Sequence, residues 1–195
     1  MAKYTTKNLE RYLNSLGRNI VKKARKNLSD ANKGGGNLSR SLDFKVKRKG
    51  RAFSVQLFMA DYGKFVDEGV KGAGGEIKTG KHAGSYGGRR HYITWEKKRK
   101  DSPFQFGSGK SSGSIYTGIE AFIKKKGIKG RDRKGRFITN KSLAFAIVKV
   151  LWIKGIHGIS FFQQPLGFYW RQAVDKQGLL GAVADDIITN IKKAI

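Results

Sequence analysis

Leu42-Asp43-Phe44-Lys45-Val46-Lys47-Arg48-Lys49-Gly50-Arg51-Ala52-Phe53-Ser54-Val55-Gln56-Leu57-Phe58-Met59 is the stretch on which the fold turns. Leu42, Phe44 and Val46 alternate with charged residues. Beyond Arg48-Lys49-Gly50-Arg51, Phe53, Val55, Leu57 and Met59 alternate with Ser54, Gln56 and Phe58. Successive strand side chains point to opposite faces, so two period-two runs about a glycine predict an antiparallel hairpin over 42–59. One of its faces is apolar and has to be covered.

Helices flank the hairpin in the sequence. Leu9, Leu13, Leu16, Ile20, Ala24 and Leu28 recur at helical spacing over 6–28, widened by Tyr12 and Val21, with Lys and Arg on the other face. Thr5 or Thr6 suits the start, and Gly34-Gly35-Gly36 lies past the end. Asp61 to Glu68 reads as a short helix stopped by Gly69. Ile115, Ile119, Phe122 and Ile123 form another, closed by Gly127. The basic turn Lys129–Arg136 leads to Thr139 or Asn140, which can cap a helix over 142–154. That helix is apolar almost all round, so it reads as buried. Phe161–Pro165 is a kinked aromatic segment. Two helices follow, near 166–176 and 179–194, the second with Leu180, Val183, Ile187 and Ile191 on one stripe.

The charge is the most unusual property. Against 41 Lys+Arg stand 14 Asp+Glu, a net +27 over 195 residues. The excess runs through the chain, with +12 over residues 1–60, +5 over 61–100, +6 over 101–140 and +4 over 141–195. It attracts polyanions and opposes compaction. Charge alone carries no base specificity, so nucleic acid and acidic protein surfaces are both suitable partners. Leu, Ile, Val and Phe make up 25% of the chain, enough to build a core despite this charge. The length suits one domain over 1–195. Without Cys there is no disulfide framework and no thiol chemistry, which suits a reducing cytoplasm. The N-terminus lacks the apolar run of a secretory signal, and the most apolar stretch, 143–153, is too short to cross a bilayer.

Residues 69–113 hold 11 of the 26 glycines. They read as an extended Gly-rich basic loop or arm inserted in the domain and ordered mainly by its partners. Within it, Tyr92, Trp95, Phe104 and Phe106 are candidate anchors on a neighbouring protein, since aromatic residues dominate such contacts; stacking on bases is the other reading. Arg89, Arg90, Lys97, Lys98, Arg99 and Lys100 are candidate contacts to nucleic acid or an acidic surface.

Chemistry is harder to find. Gly109-Lys110-Ser111 imitates a phosphate loop, but Phe104 stands where its first glycine belongs. His82, His91 and His157 have no carboxylate at metal-ligand spacing, and His157 reads as a turn residue. Asp61 with Glu76-Ile77-Lys78 imitates the D…ExK arrangement of Mg²⁺-dependent nucleases, but Glu76 sits in a Gly-rich stretch, where the chemistry needs a rigid strand. Asp67-Glu68 and Asp185-Asp186 read as a helix end and a solvated helix face. No catalytic residue, metal site or cofactor is assigned, and the chain reads as a non-enzyme.

Tyr62-Gly63-Lys64-Phe65-Val66-Asp67-Glu68-Gly69 resembles the Tyr-x-x-(aromatic)-Val-Glu-x-Gly stretch of the neck, or tail-completion, proteins of tailed bacteriophages. Leu143–Lys149 with Lys154-Gly155-Ile156 is similar to that family's helix and its following Gly-Ile. Phe161-Phe162-Gln163-Gln164-Pro165-Leu166 resembles the segment before its terminal helices. The resemblance spans roughly 1–69 and 140–195 in the same order. It implies a structural virion protein forming a homo-oligomeric ring at the head–tail junction. Its partners would be copies of itself, other neck, portal or tail proteins, and packaged DNA contacted without base readout, with no membrane contact. The fold expected is α+β: an antiparallel sheet begun by the hairpin 42–59 and packed by the N-terminal, 142–154 and C-terminal helices. A non-specific nucleic-acid-binding protein is the alternative function, and a Mg²⁺-dependent nuclease the second.

Overall fold

The computed structural model describes residues 5–50, 52–107, 115–175 and 177–194. Among these, seven helices combine with short antiparallel strand pairs, an α+β fold. The chain divides into two compact units, residues 1–67, 93–99 and 159–195 in the first and 68–92 and 100–158 in the second.

The first unit is built on the expected hairpin, β1 (Asp43–Lys49) and β2 (Ala52–Phe58), in the register Phe44 opposite Leu57 and Val46 opposite Val55. Its apolar face receives α1 (Lys7–Asp30), which turns Leu13, Leu16, Ile20, Val21, Ala24 and Leu28 inward. Gly17 belongs to that buried face because a Cβ there would overlap the Phe44 ring, so glycine lets helix and strand approach closely. The short helices α2 (Asn37–Ser41) and α3 (Gly63–Glu68) follow α1 and the hairpin in turn. Leu38, Leu42 and the fully buried Phe161 close one end of the core, and Ala173 of α6 (Gln163–Asp175) closes the other.

Two acidic residues hold this unit together. Thr6 occupies the cap position of α1, but its side chain makes no bond to the helix N–H groups. Instead Asp186, on α7 (Gly178–Ala194), accepts from Asn8 N at 3.0 Å and Leu9 N at 2.9 Å and is only 5% exposed. The expectation of a solvated Asp185-Asp186 face therefore fails for Asp186: unsatisfied helix N–H groups recruit the carboxylate across the fold. Asp67, also buried, accepts from Phe162 N at 2.7 Å, just ahead of α6.

α7 departs from its expected orientation. It buries Ala182 and Asp186, so Leu180, Ile187 and Ile191 face outward at 63%, 54% and 53% exposure. The helix has rotated toward the α1 terminus that needs an acceptor, leaving its apolar stripe uncovered.

The second unit replaces the expected arm with structure of its own. β3 (Gly69–Lys71) pairs with β8 (Gly155–His157), and β4 (Gly75–Ile77) with β5 (Gly84–Tyr86). β6 (His91–Ile93) and β7 (Arg99–Asp101) form a further pair, whose tip, 93–99, belongs to the first unit. The glycines that suggested disorder serve close approach: Gly69, at φ +75°, faces the backbone of Gly158, and Gly72 faces the Ile153 carbonyl. His157 lies on a strand, opposite Gly69, and not in a turn.

α4 (Ile115–Lys126) buries Ile123 against α5 (Asn140–Lys154). Thr139 caps α5, accepting from Ser142 N at 3.2 Å. The expectation of a buried 142–154 helix over the hairpin is corrected. α5 packs on α4, β4 and β8 within the second unit, burying only Ala144 and Ile153, with Phe145 67% exposed. A helix apolar all round carries no moment to orient it, and these neighbours cover only part of its circumference. No helix among the described residues is long and apolar enough to cross a membrane.

Candidate functional site

A concave feature lies in the second unit. β5 ends at Tyr86, and Gly87-Gly88 carry the chain to Arg89 and Arg90; Lys154 is the last residue of α5. These six residues line a cleft of about 520 Å³. The Lys154 ammonium sits 4.4 Å from the Tyr86 ring centroid and 3.1 Å from His82 Nδ1, and the Tyr86 hydroxyl donates to the His82 carbonyl at 2.9 Å. Lys154 is thus held in place by a ring face and an imidazole.

Arg90 is seated by glycine. A Cβ on Gly155 would come within 2.8 Å of Arg90 Cγ, so the bare backbone makes room for its stem. The Arg90 carbonyl accepts from Ser102 N at 2.9 Å, and its Nε is buried with no hydrogen-bond partner among the described residues. Arg89 is exposed, 4.0 Å from Asp101 Oδ2, and that carboxylate also lies 3.3 Å from His91 Nδ1. An adjoining groove shares Arg90 and Lys154 and has an apolar wall of Ala146, Ile147, Val150 and Leu151 from α5. This arrangement suits an anion.

The residues singled out from the sequence are dispersed. Tyr92 is buried, so it offers no free face to a partner. Trp95 packs over Gly167 of α6, where a Cβ would overlap its ring, and the Arg171 guanidinium sits 4.5 Å from the ring centroid. Both serve as anchors within the chain. Phe106 stacks on Trp152 at 5.7 Å, and the Phe104 carbonyl accepts from Lys71 N. Arg89 and Arg90 enter the cleft. Lys97, Lys98, Arg99 and Lys100 are exposed on the β6–β7 turn and strand, and Lys97 takes a left-handed conformation at φ +60°. Lys154 went unrecognised as a site residue because its role depends on the end of α5 meeting a loop more than sixty residues earlier.

Of the nuclease pattern, Glu76 does lie on a strand, opposite Ser85 in β4–β5, and is exposed, as is Asp61. Among the described residues no group of three His, Cys, Asp or Glu is placed to hold a metal ion. Gly109-Lys110-Ser111 lies outside the described residues. Asp132 is an organised surface carboxylate. Backbone N–H donation from Arg136 leads the effects holding its carboxyl below the usual range, helped by the Arg136 guanidinium and Lys134 N.

No family model, curated protein or solved structure matches this chain.

Proposed function

We propose that the protein is a structural virion component of a tailed bacteriophage, assembled with copies of itself as a ring at the head–tail junction. The order of the three short motifs supports this reading, as does a net charge of +27 suited to a passage for DNA.

The observation that carries it is the outward stripe of α7. Leu180, Ile187 and Ile191 fall on one helical face, and Ile188 beside them is 50% exposed. Covering such half-exposed side chains returns about 1 kcal/mol each. Like-charged copies repel, so a ring needs short-range apolar contact of this kind, while DNA in its bore supplies countercharge. Other neck, portal or tail proteins would cover further apolar surface, such as Phe145 on α5. The protein acts here as architecture and contacts DNA without reading its sequence.

Quantitative mass spectrometry of purified particles tests the proposal. A fixed, ring-like copy number per particle is expected, and mature particles free of the protein would refute it.

A further inference from the structure

We infer that the cleft at Tyr86–Arg90 is a seat for a phosphate group, held by Arg90 and Lys154 with Arg89 at its rim. The inference does not rest on where the protein sits in a particle.

Three observations converge on it. First, Arg90 Nε is a buried donor without an acceptor. A buried unsatisfied donor is destabilising, more so when charged, so such a group is usually met by something. Nε is closed to solvent, so a phosphate in the cleft would accept from the Nη groups of the same guanidinium, whose positive charge is shared with Nε. Second, Lys154 has its charge positioned but not neutralised: its neighbours are the Tyr86 ring and His82, and no ion pair links it or Arg90 to a carboxylate among the described residues. Third, the floor is open at Gly87. A Cβ on Gly87 would meet nothing within 4 Å, so an anion can approach bare backbone there, while Gly88, left-handed at φ +72°, packs against the backbone of Gly72 and Gly74.

Other cations of this basic chain are differently disposed. Arg25 donates to the Ser39 and Leu42 carbonyls, Arg48 faces Glu10, and Arg136 is bound to Asp132. Lys97, Lys98 and Lys100 project from the surface. At Arg90 and Lys154 two positive charges share one concave site. A cleft of about 520 Å³ exceeds what a lone carboxylate fills, and its two fixed cations match a tetrahedral oxyanion better. The phosphate can belong to a nucleic-acid backbone or to a small phosphate compound.

Binding of a 20-base-pair DNA duplex, inorganic phosphate and a polyglutamate peptide to the full chain, at about 0.1 M salt, tests the assignment. Arg90→Gln with Lys154→Gln is compared with Lys22→Gln with Lys23→Gln, which removes the same charge from the exposed face of α1. The cleft pair is expected to weaken phosphate binding at least tenfold, and the surface pair no more than about threefold. Arg90→Lys keeps the net charge but removes the guanidinium, and should lose several-fold.

Loss of DNA affinity in parallel identifies the backbone as the phosphate source; loss for inorganic phosphate alone identifies a small compound. Equal effects of the two pairs, wild-type binding by Arg90→Lys, or tighter binding of polyglutamate than of either phosphate probe would overturn the assignment. Circular dichroism establishes that each variant is folded. Should the cleft pair unfold, the Arg90 Nε–H resonance of the wild-type protein decides: it should move on titration with phosphate, and a stationary resonance refutes the seat.

Discussion

Replacing Asp186 by alanine removes the carboxylate that accepts from the first N–H groups of α1, leaving Glu10 as the acidic residue of that turn. Asn8 N and Leu9 N lose acceptors at 3.0 and 2.9 Å, in a site where Asp186 is 5% exposed. An unsatisfied buried donor is worth about 1–3 kcal/mol, and a negative charge at a helix N-terminus adds about 0.3–1 kcal/mol. Both amides are only partly buried, so water recovers some of the loss, and about 2–3 kcal/mol is expected. Asp186→Asn keeps an acceptor oxygen but not the charge and should lose about 1 kcal/mol. Asp185→Ala, one residue away on the exposed side, should stay within about 0.5 kcal/mol of wild type. Urea unfolding followed by circular dichroism measures the differences, and hydrogen exchange at Asn8 and Leu9 localises them. At roughly 2–4 °C per kcal/mol for a chain of this size, Asp186→Ala should lower the thermal midpoint by roughly 5–10 °C. If Asp186→Ala and Asp185→Ala behave alike, the cross-fold cap is not a source of stability.

Three further outcomes follow from particular contacts. Gly167→Ala should lose about 1–3 kcal/mol because its methyl group overlaps the Trp95 ring, and Trp95→Ala should relieve most of that in a double-mutant cycle; additive losses would argue against the contact. Ile187→Ser with Ile191→Ser should leave urea stability within about 1 kcal/mol of wild type yet abolish self-association in sedimentation velocity. A loss above about 4 kcal/mol, as core truncation of two such residues gives, would return the stripe to the interior. The Asp132 carboxyl lies below its unfolded value, so its contribution to the 131–137 turn is present above the ordinary carboxylate pKa of about 3.9 and is lost as pH falls through the lower folded value. The Lys134 and Arg136 amide resonances should shift only in that acid window; movement between pH 5 and 7 would contradict it.

Elements whose identity depends on neighbours in the chain were readable in advance. The 42–59 alternation places β1 and β2 because one-face burial is a period-two property of a single strand. The Leu9–Leu28 stripe places α1 for the equivalent helical reason, and Thr139 caps α5 through a bond three residues away. The glycines of 69–107 misled because a glycine spacing that looks like slack is the same one that allows strand backbones to touch, as at Gly72 against Ile153. Of the cleft, Arg89 and Arg90 were legible as basic residues near a turn, whereas Lys154 was not.

The amino-acid sequence by itself therefore determined the α+β composition, the hairpin, the N-terminal helix and the high positive charge, all local or additive properties. The tertiary structure alone decided which side of α7 is wet, which carboxylates are buried as caps, and which three of 41 cations share a cleft. Those outcomes depend on distant groups competing for the same contact. Asp186 meets the start of α1 across 178 residues of chain, and satisfying those N–H groups fixes the rotation of α7 that leaves Ile187 in water.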